Sequence, residues 1–195
     1  MSSIKPDTTK AIVLTSGIGL ATVELLHRQG ACIIAVGRGD NVKVVAREGL
    51  VPVVANVAQE TSAELAVQTA IQRFISLHIL VNNAGIIINR PVAEISLEEG
   101  NQVMLVNATG AFLFSRAVMS QRMSAGGAIV NIGSYTCYQS FPGIAAYATS
   151  KGALAQLTRM LALEVISHAF VSMRSVRAMP SQTSLKPFSP MARPI

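Results

Sequence analysis

The chain has no tryptophan, only 5 % aromatic residues, and only 13 % charged residues among its 195 positions. So little charge beside a hydrophobic share of 50 % excludes disorder for the bulk of the chain and leaves ample material for a core. No apolar run approaches the roughly eighteen residues of a membrane span. Residues 1–10 lack the apolar centre of a signal peptide. These absences predict a soluble, cytoplasmic protein with no membrane partner. Cysteine is scarce too: Cys32 falls in an apolar stretch, Cys137 stands apart, and no His, Cys, Asp and Glu spacing suits a metal. Reduced thiols and no metal are expected. Acids are missing from the C-terminal end, since all lie at or before Glu164 while Arg174, Arg177, Lys186 and Arg193 follow it. The net charge of +6 therefore resides largely in the tail, and without aromatic interleaving it predicts no nucleic-acid partner.

What the chain does contain is an alternation of short apolar runs and helical patterns. Strands are predicted at 11–14, 31–36, 51–55, 78–81, 128–132 and 171–176. Helices are predicted from the turn at 15–19 to about Gln29, at 41–48, at 60–76, from Ser96 to about Met123, and at 145–166. Gly30 ends the first helix, and Ser96 with Glu99 reads as a capping box. This order predicts a doubly wound parallel α/β sheet of Rossmann type, in three αβα layers. One domain is expected over 1–195, its core at about 11–176 and a proline-rich loose tail at 177–195.

Chemistry concentrates in residues 127–151. Ser134 follows Gly133 at the C-terminal end of a strand, where open α/β sheets place their ligands. Tyr147 and Lys151 are four apart and share one helical face. An ammonium one turn from a phenol favours the phenolate, and such a tyrosine can pass a proton to or from a reacting oxygen. Ser134 could donate a hydrogen bond to that oxygen. Upstream, Thr15-Ser16-Gly17-Ile18-Gly19 turns a strand into a helix within a βαβ unit, where free N–H groups suit a phosphate.

With Asn82-Asn83-Ala84-Gly85, Asn107, Ser134 and Tyr147-xxx-Lys151 in this order, the chain resembles the short-chain dehydrogenase/reductase family over about 11–166. The resemblance implies interconversion of a small-molecule carbonyl and alcohol by hydride transfer with a nicotinamide dinucleotide. It makes Asn107, Ser134, Tyr147 and Lys151 catalytic, with Asn107 maintaining a proton relay through a water. It places the cofactor against Thr15, Ser16, Gly17, Ile18, Gly19, Asn56, Val57, Asn83, Ala84, Gly85, Tyr147, Lys151 and Thr183. Arg38, after the second strand, could pair with a 2′-phosphate and favours NADP(H), with NAD(H) the alternative. It further implies a homodimer or homotetramer through the helices at 96–123 and 145–166.

The chain departs from the family pattern in two places. The turn TGxxxGIG is three residues shorter here, and the family's last strand and substrate-covering helices have no counterpart. These departures predict impaired cofactor binding. The alternative reading is a catalytically impaired relative acting as a binding or regulatory protein, or the product of a damaged reading frame.

Overall fold

The computed structural model describes residues 8–15, 17–120, 127–164 and 171–177, with Asn41 and 171–177 described as backbone only. The elements run β1 (Lys10–Leu14), α1 (Ile18–Arg28), β2 (Cys32–Gly37), a 3₁₀ turn (Asp40–Val45), β3 (Leu50–Val54), α2 (Glu60–Phe74) and β4 (Ile79–Asn82). They continue with α3 (Leu97–Met104), a π-turn (Leu105–Thr109), α4 (Gly110–Ser120), β5 (Ala128–Ser134), a 3₁₀ turn (Tyr135–Cys137), α5 (Ala145–Glu164) and β6 (Val171–Arg177). The strands are all parallel, in the order β3-β2-β1-β4-β5-β6.

Alternation along the strands explains the layers. Ile12, Leu14, Ile34, Val36 and Leu80 face one way and pack against α2, α4 and α5 through Ala66, Ala70, Phe114 and Leu161. Ala11, Val13, Ile33 and Ala35 face the other way, onto Val23 of α1 and Val42 and Val45 of the 3₁₀ turn. A strand buried on both faces has to be apolar throughout, which is why the predicted runs were continuous rather than alternating. The chain winds from β1 outward to β3, then returns to β4 on the other side of β1. That reversal opens a crevice at the C-terminal ends of β1 and β4, the place where such sheets bind ligands.

Three elements differ from the sequence expectation. The helix expected at 41–48 is a 3₁₀ turn, Asp40–Val45: it is short, and Val42, Val44 and Val45 disfavour a regular helix. The long helix expected from Ser96 breaks at the π-turn, where the Gly110 N–H reaches back to the Leu105 carbonyl. The helix expected to reach residue 76 ends at Phe74, with Ile75 left-handed (φ 69°) after it. The Ser96–Glu99 capping box forms as expected. Among the described residues, Leu97–Ser120 is long and apolar enough to cross a membrane, yet half of its apolar window is buried inside the fold. Ser16, Thr183 and residues 178–195 of the tail expected at 177–195 lie outside the described residues, while Arg177, expected to open that tail, ends β6 in register with Ser134.

Candidate functional site

β5 delivers Ser134 as its last residue, at the C-terminal edge of the sheet and 6 % exposed. The Ser134 hydroxyl oxygen accepts the Thr136 N–H at 3.2 Å, so its own hydrogen remains to be donated. After the 3₁₀ turn the chain enters α5, and Tyr147 lies half-buried in its first turn. Lys151 follows one turn later, 4 % exposed, with Nζ 5.9 Å from the Tyr147 ring centroid. Its ammonium donates to the Ile132 carbonyl of β5 at 2.7 Å. Burial lowers the Lys151 pKa to about 8, opposed in part by electrostatic attraction from Cys137. Cys137 Sγ donates to the Lys151 carbonyl at 3.2 Å, which fixes the thiol against the helix.

Asn107 enters from the π-turn and is 1 % exposed. Its Oδ1 accepts the Ile86 N–H at 2.8 Å, and its Nδ2 donates to the Ile86 carbonyl at 2.9 Å and to Ser150 Oγ at 3.0 Å. Both amide hydrogens are therefore committed within the protein. Gly85 completes this corner: a Cβ there would sit 3.3 Å from Asn107 Oδ1 and 3.7 Å from Lys151 Nζ. Asn107, Ser134, Tyr147, Lys151 and Gly85 are thus brought to one edge by β4, β5, the π-turn and α5.

At the crevice, only Thr15, Ser16 and Gly17 separate β1 from α1. Gly17 caps the helix with φ 47°, a conformation that suits glycine. The first turn of α1 carries no acid, so the positive end of the helix is not neutralised. Thr15 directs its hydroxyl to the Val36 carbonyl at 2.8 Å, towards β2. A Cβ on Gly19 would lie 2.5 Å from Asn83 Nδ2 and 2.7 Å from the Leu14 carbonyl oxygen, so α1 packs against the strand ends only with glycine there. Asn83 Nδ2 itself donates to the Leu14 carbonyl at 3.1 Å, joining the ends of β4 and β1 across the crevice.

The remaining candidates are spread along the same edge. Arg38 is exposed just beyond β2, and Asp40 opens the 3₁₀ turn in a 2.8 Å ion pair with Lys43. Asn56 Oδ1 caps the Ala58 N–H at 3.1 Å, leaving its amide hydrogens free of that bond. Val57 is buried, its carbonyl so close to α4 that a Cβ on Gly110 would stand 3.0 Å away. Sequence reasoning missed two participants, Ser150 and the Ile132 carbonyl. A serine within a helix carries no pattern of its own, and a backbone carbonyl carries none at all.

A doubly wound parallel sheet with a glycine turn at its switch point and a buried lysine beside a tyrosine at the same edge defines a Rossmann-type protein. The short chain dehydrogenase family model matches residues 11–189, and the chain belongs to that family of oxidoreductases. The chain is 40 % identical over 114 residues to a 2-(R)-hydroxypropyl-CoM dehydrogenase from Xanthobacter autotrophicus, covering 56 % of this chain and 46 % of that one. It is 32 % identical over 154 residues to carbonyl reductase [NADPH] 2 of Sus scrofa, covering 78 % of this chain and 63 % of the relative. The chain thus spans less than two thirds of either relative. A gluconate 5-dehydrogenase from Burkholderia cenocepacia, solved with NADP and tartrate, is similar with a TM-score of 0.80 and 27 % identity, over 87 % of this chain and 71 % of that one.

Proposed function

We propose that the protein interconverts a carbonyl and an alcohol with a nicotinamide dinucleotide, NADP(H) in preference to NAD(H). The observation that carries this reading is the buried Lys151 ammonium beside Tyr147, with Ser134 at the C-terminal end of β5. The residues fit a dinucleotide: the N-terminus of α1 has no acid to repel a phosphate, Gly19 lets α1 pack closely on the strand ends, and Gly85 puts no side chain beside Lys151. The bound nucleotide supplies the hydride. In the reducing direction Tyr147 gives its phenolic proton to the carbonyl oxygen. Ser134 donates its free hydrogen to the same oxygen and orients it. Lys151 keeps a positive charge beside the phenol as the proton leaves. Arg38 pairs with a 2′-phosphate. Exposed Leu105 and Phe112 of the long helix and Met160 and Leu163 of α5 give the faces for self-association.

A second reading rests on the short link from β1 to α1: a relative that binds nucleotide weakly and serves as a binding protein. Calorimetric titration with NADPH, followed by assays on a panel of aldehydes and ketones, separates the two. Turnover that is lost in Tyr147→Phe, with NADPH binding weakened by the short β1–α1 link, is the expected result. Turnover that survives Tyr147→Phe would overturn the acid–base assignment, and absence of turnover in wild type would favour the second reading.

A further inference from the structure

Lys151 and Tyr147 are held by α5, but what fixes the first turns of α5 is a neighbour that takes no part in the mechanism above. Ser150 is 0 % exposed. Its hydroxyl donates to the Tyr147 carbonyl at 2.7 Å and accepts Asn107 Nδ2 at 3.0 Å. Asn107 in turn pairs both the N–H and the carbonyl of Ile86, in the manner of a neighbouring strand. A continuous chain of hydrogen bonds therefore runs from Ile86, just past β4, through the Asn107 amide and the Ser150 hydroxyl to the backbone of Tyr147.

We propose that Ser150 is a positioning residue: it clamps the Tyr147–Lys151 turn of α5 to the π-turn through Asn107. The proposal rests on the functional reading above for its catalytic consequence, but not for the clamp itself.

The physical argument is one of satisfied groups. An asparagine amide has two hydrogens to give, and here Ile86 takes one and Ser150 the other. The π-turn matters because its wider loop, closed by the Gly110 N–H on Leu105, sets the direction from which Asn107 approaches. Removing the hydroxyl in Ser150→Ala leaves one Asn107 N–H facing a methyl group where both residues are closed to water. The amide then rotates or the helix turn shifts, and either movement displaces the two groups that flank Ser150. Lys151 is next in sequence, and its ammonium is tied across to Ile132 at 2.7 Å, so a shift of the turn lengthens that bond and admits water. The serine's own bond to the carbonyl three residues back ties its hydroxyl to the turn that carries Tyr147.

The test reads Lys151 directly. The protein is labelled with ¹³C at lysine Cε, the Lys151 signal is assigned by its loss in Lys151→Arg, and its titration is followed in wild type, Ser150→Ala and Ser150→Cys. Tyr147 and Cys137 are the titratable neighbours whose own ionisation is followed beside it. The wild-type midpoint is expected near 8. In Ser150→Ala it moves upward by roughly half a unit or more as water reaches the ammonium, and Ser150→Cys, a weaker partner, moves it less. In parallel kcat falls about tenfold or more with NADPH affinity retained. Adding Ser150→Ala to Asn107→Ala produces little further shift, because the two act as one unit. Wild-type midpoints in both Ser150 variants overturn the clamp, as do fully additive shifts in the double variant. If Ser150→Ala does not fold, Ser150→Cys alone decides by the same midpoint. If wild type has no turnover, the catalytic reading fails while the titration still decides the clamp.

Discussion

The Lys151 ammonium crosses from α5 to the Ile132 carbonyl of β5 at 2.7 Å, in a position only 4 % exposed. Burial there lowers its pKa from 10.5 to about 8. Below pH 8 both folded and unfolded states carry the proton, so the full cost of the buried charge is present. Between about 8 and 10.5 the unfolded chain holds a proton that the folded one has released, and stability rises with pH. Relative to Lys151→Met, wild type should therefore gain about 3 kcal/mol between pH 7 and pH 10.5. Urea unfolding of both proteins across that range measures the gain, and parallel pH curves would contradict it.

Gly19 and Gly100 should respond to alanine in opposite senses. A Cβ on Gly19 meets the Leu14 carbonyl oxygen at 2.7 Å, and backbone cannot step aside cheaply. Gly19→Ala should destabilise by about 1–3 kcal/mol. Gly100 lies in α3 with nothing within 4 Å of the added carbon, so Gly100→Ala should stabilise by roughly 0.5–1 kcal/mol. Denaturant midpoints of the two variants give the signs.

Ile75 is a β-branched residue at φ 69°, 88 % exposed, where it ends α2 and donates to the Ile71 carbonyl. Its side chain gains almost nothing from burial while its backbone is strained. Ile75→Gly should raise stability by about 1 kcal/mol. A lower thermal midpoint would show that the left-handed conformation is not the costly feature.

Arg38 stands exposed beyond β2, free to reach a phosphate on the adenosine ribose. Wild type should bind NADPH more tightly than NADH, and Arg38→Ala should remove about tenfold or more of that preference. Equal affinities of the two nucleotides for wild type would refute the assignment.

Phe112 is exposed on α4 under the Arg116 guanidinium, 5.4 Å from its ring centroid, on the same helical stretch as exposed Leu105. Self-association through this face predicts a dimer or tetramer by light scattering at micromolar concentration, converted to monomer by Phe112→Asp. A monomeric wild type would exclude the interface.

The sheet was legible because buried parallel strands have to be apolar on both faces, and 31–36 and 128–132 carried that mark. Ser134, Tyr147 and Lys151 were legible because strand ends and a four-residue helical spacing put them on a common edge. The 3₁₀ turn at Asp40–Val45 was hidden, since Asp40 at its start also suits the N-terminus of a helix and only the valines after it argue otherwise. The π-turn was hidden for another reason. Leu105–Thr109 contains no proline or glycine, and the partners of its Asn107, Ile86 and Ser150, are both far away in sequence. Ser150 itself is meaningful only once those partners are known.

The strand order has a consequence for how the chain is made. β1 lies between β2 and β4, and β4 is synthesised long after β3. During synthesis β1, β2 and β3 can meet early, but the second edge of β1 stays open until Asn82 has emerged. That edge, Ala11 to Val13 in the register later taken by Ile79 to Val81, is wholly apolar and carries unpaired backbone groups. The nascent protein thus presents a sticky seam to its surroundings for the whole time that α2 is being translated, and β4 closes it from within.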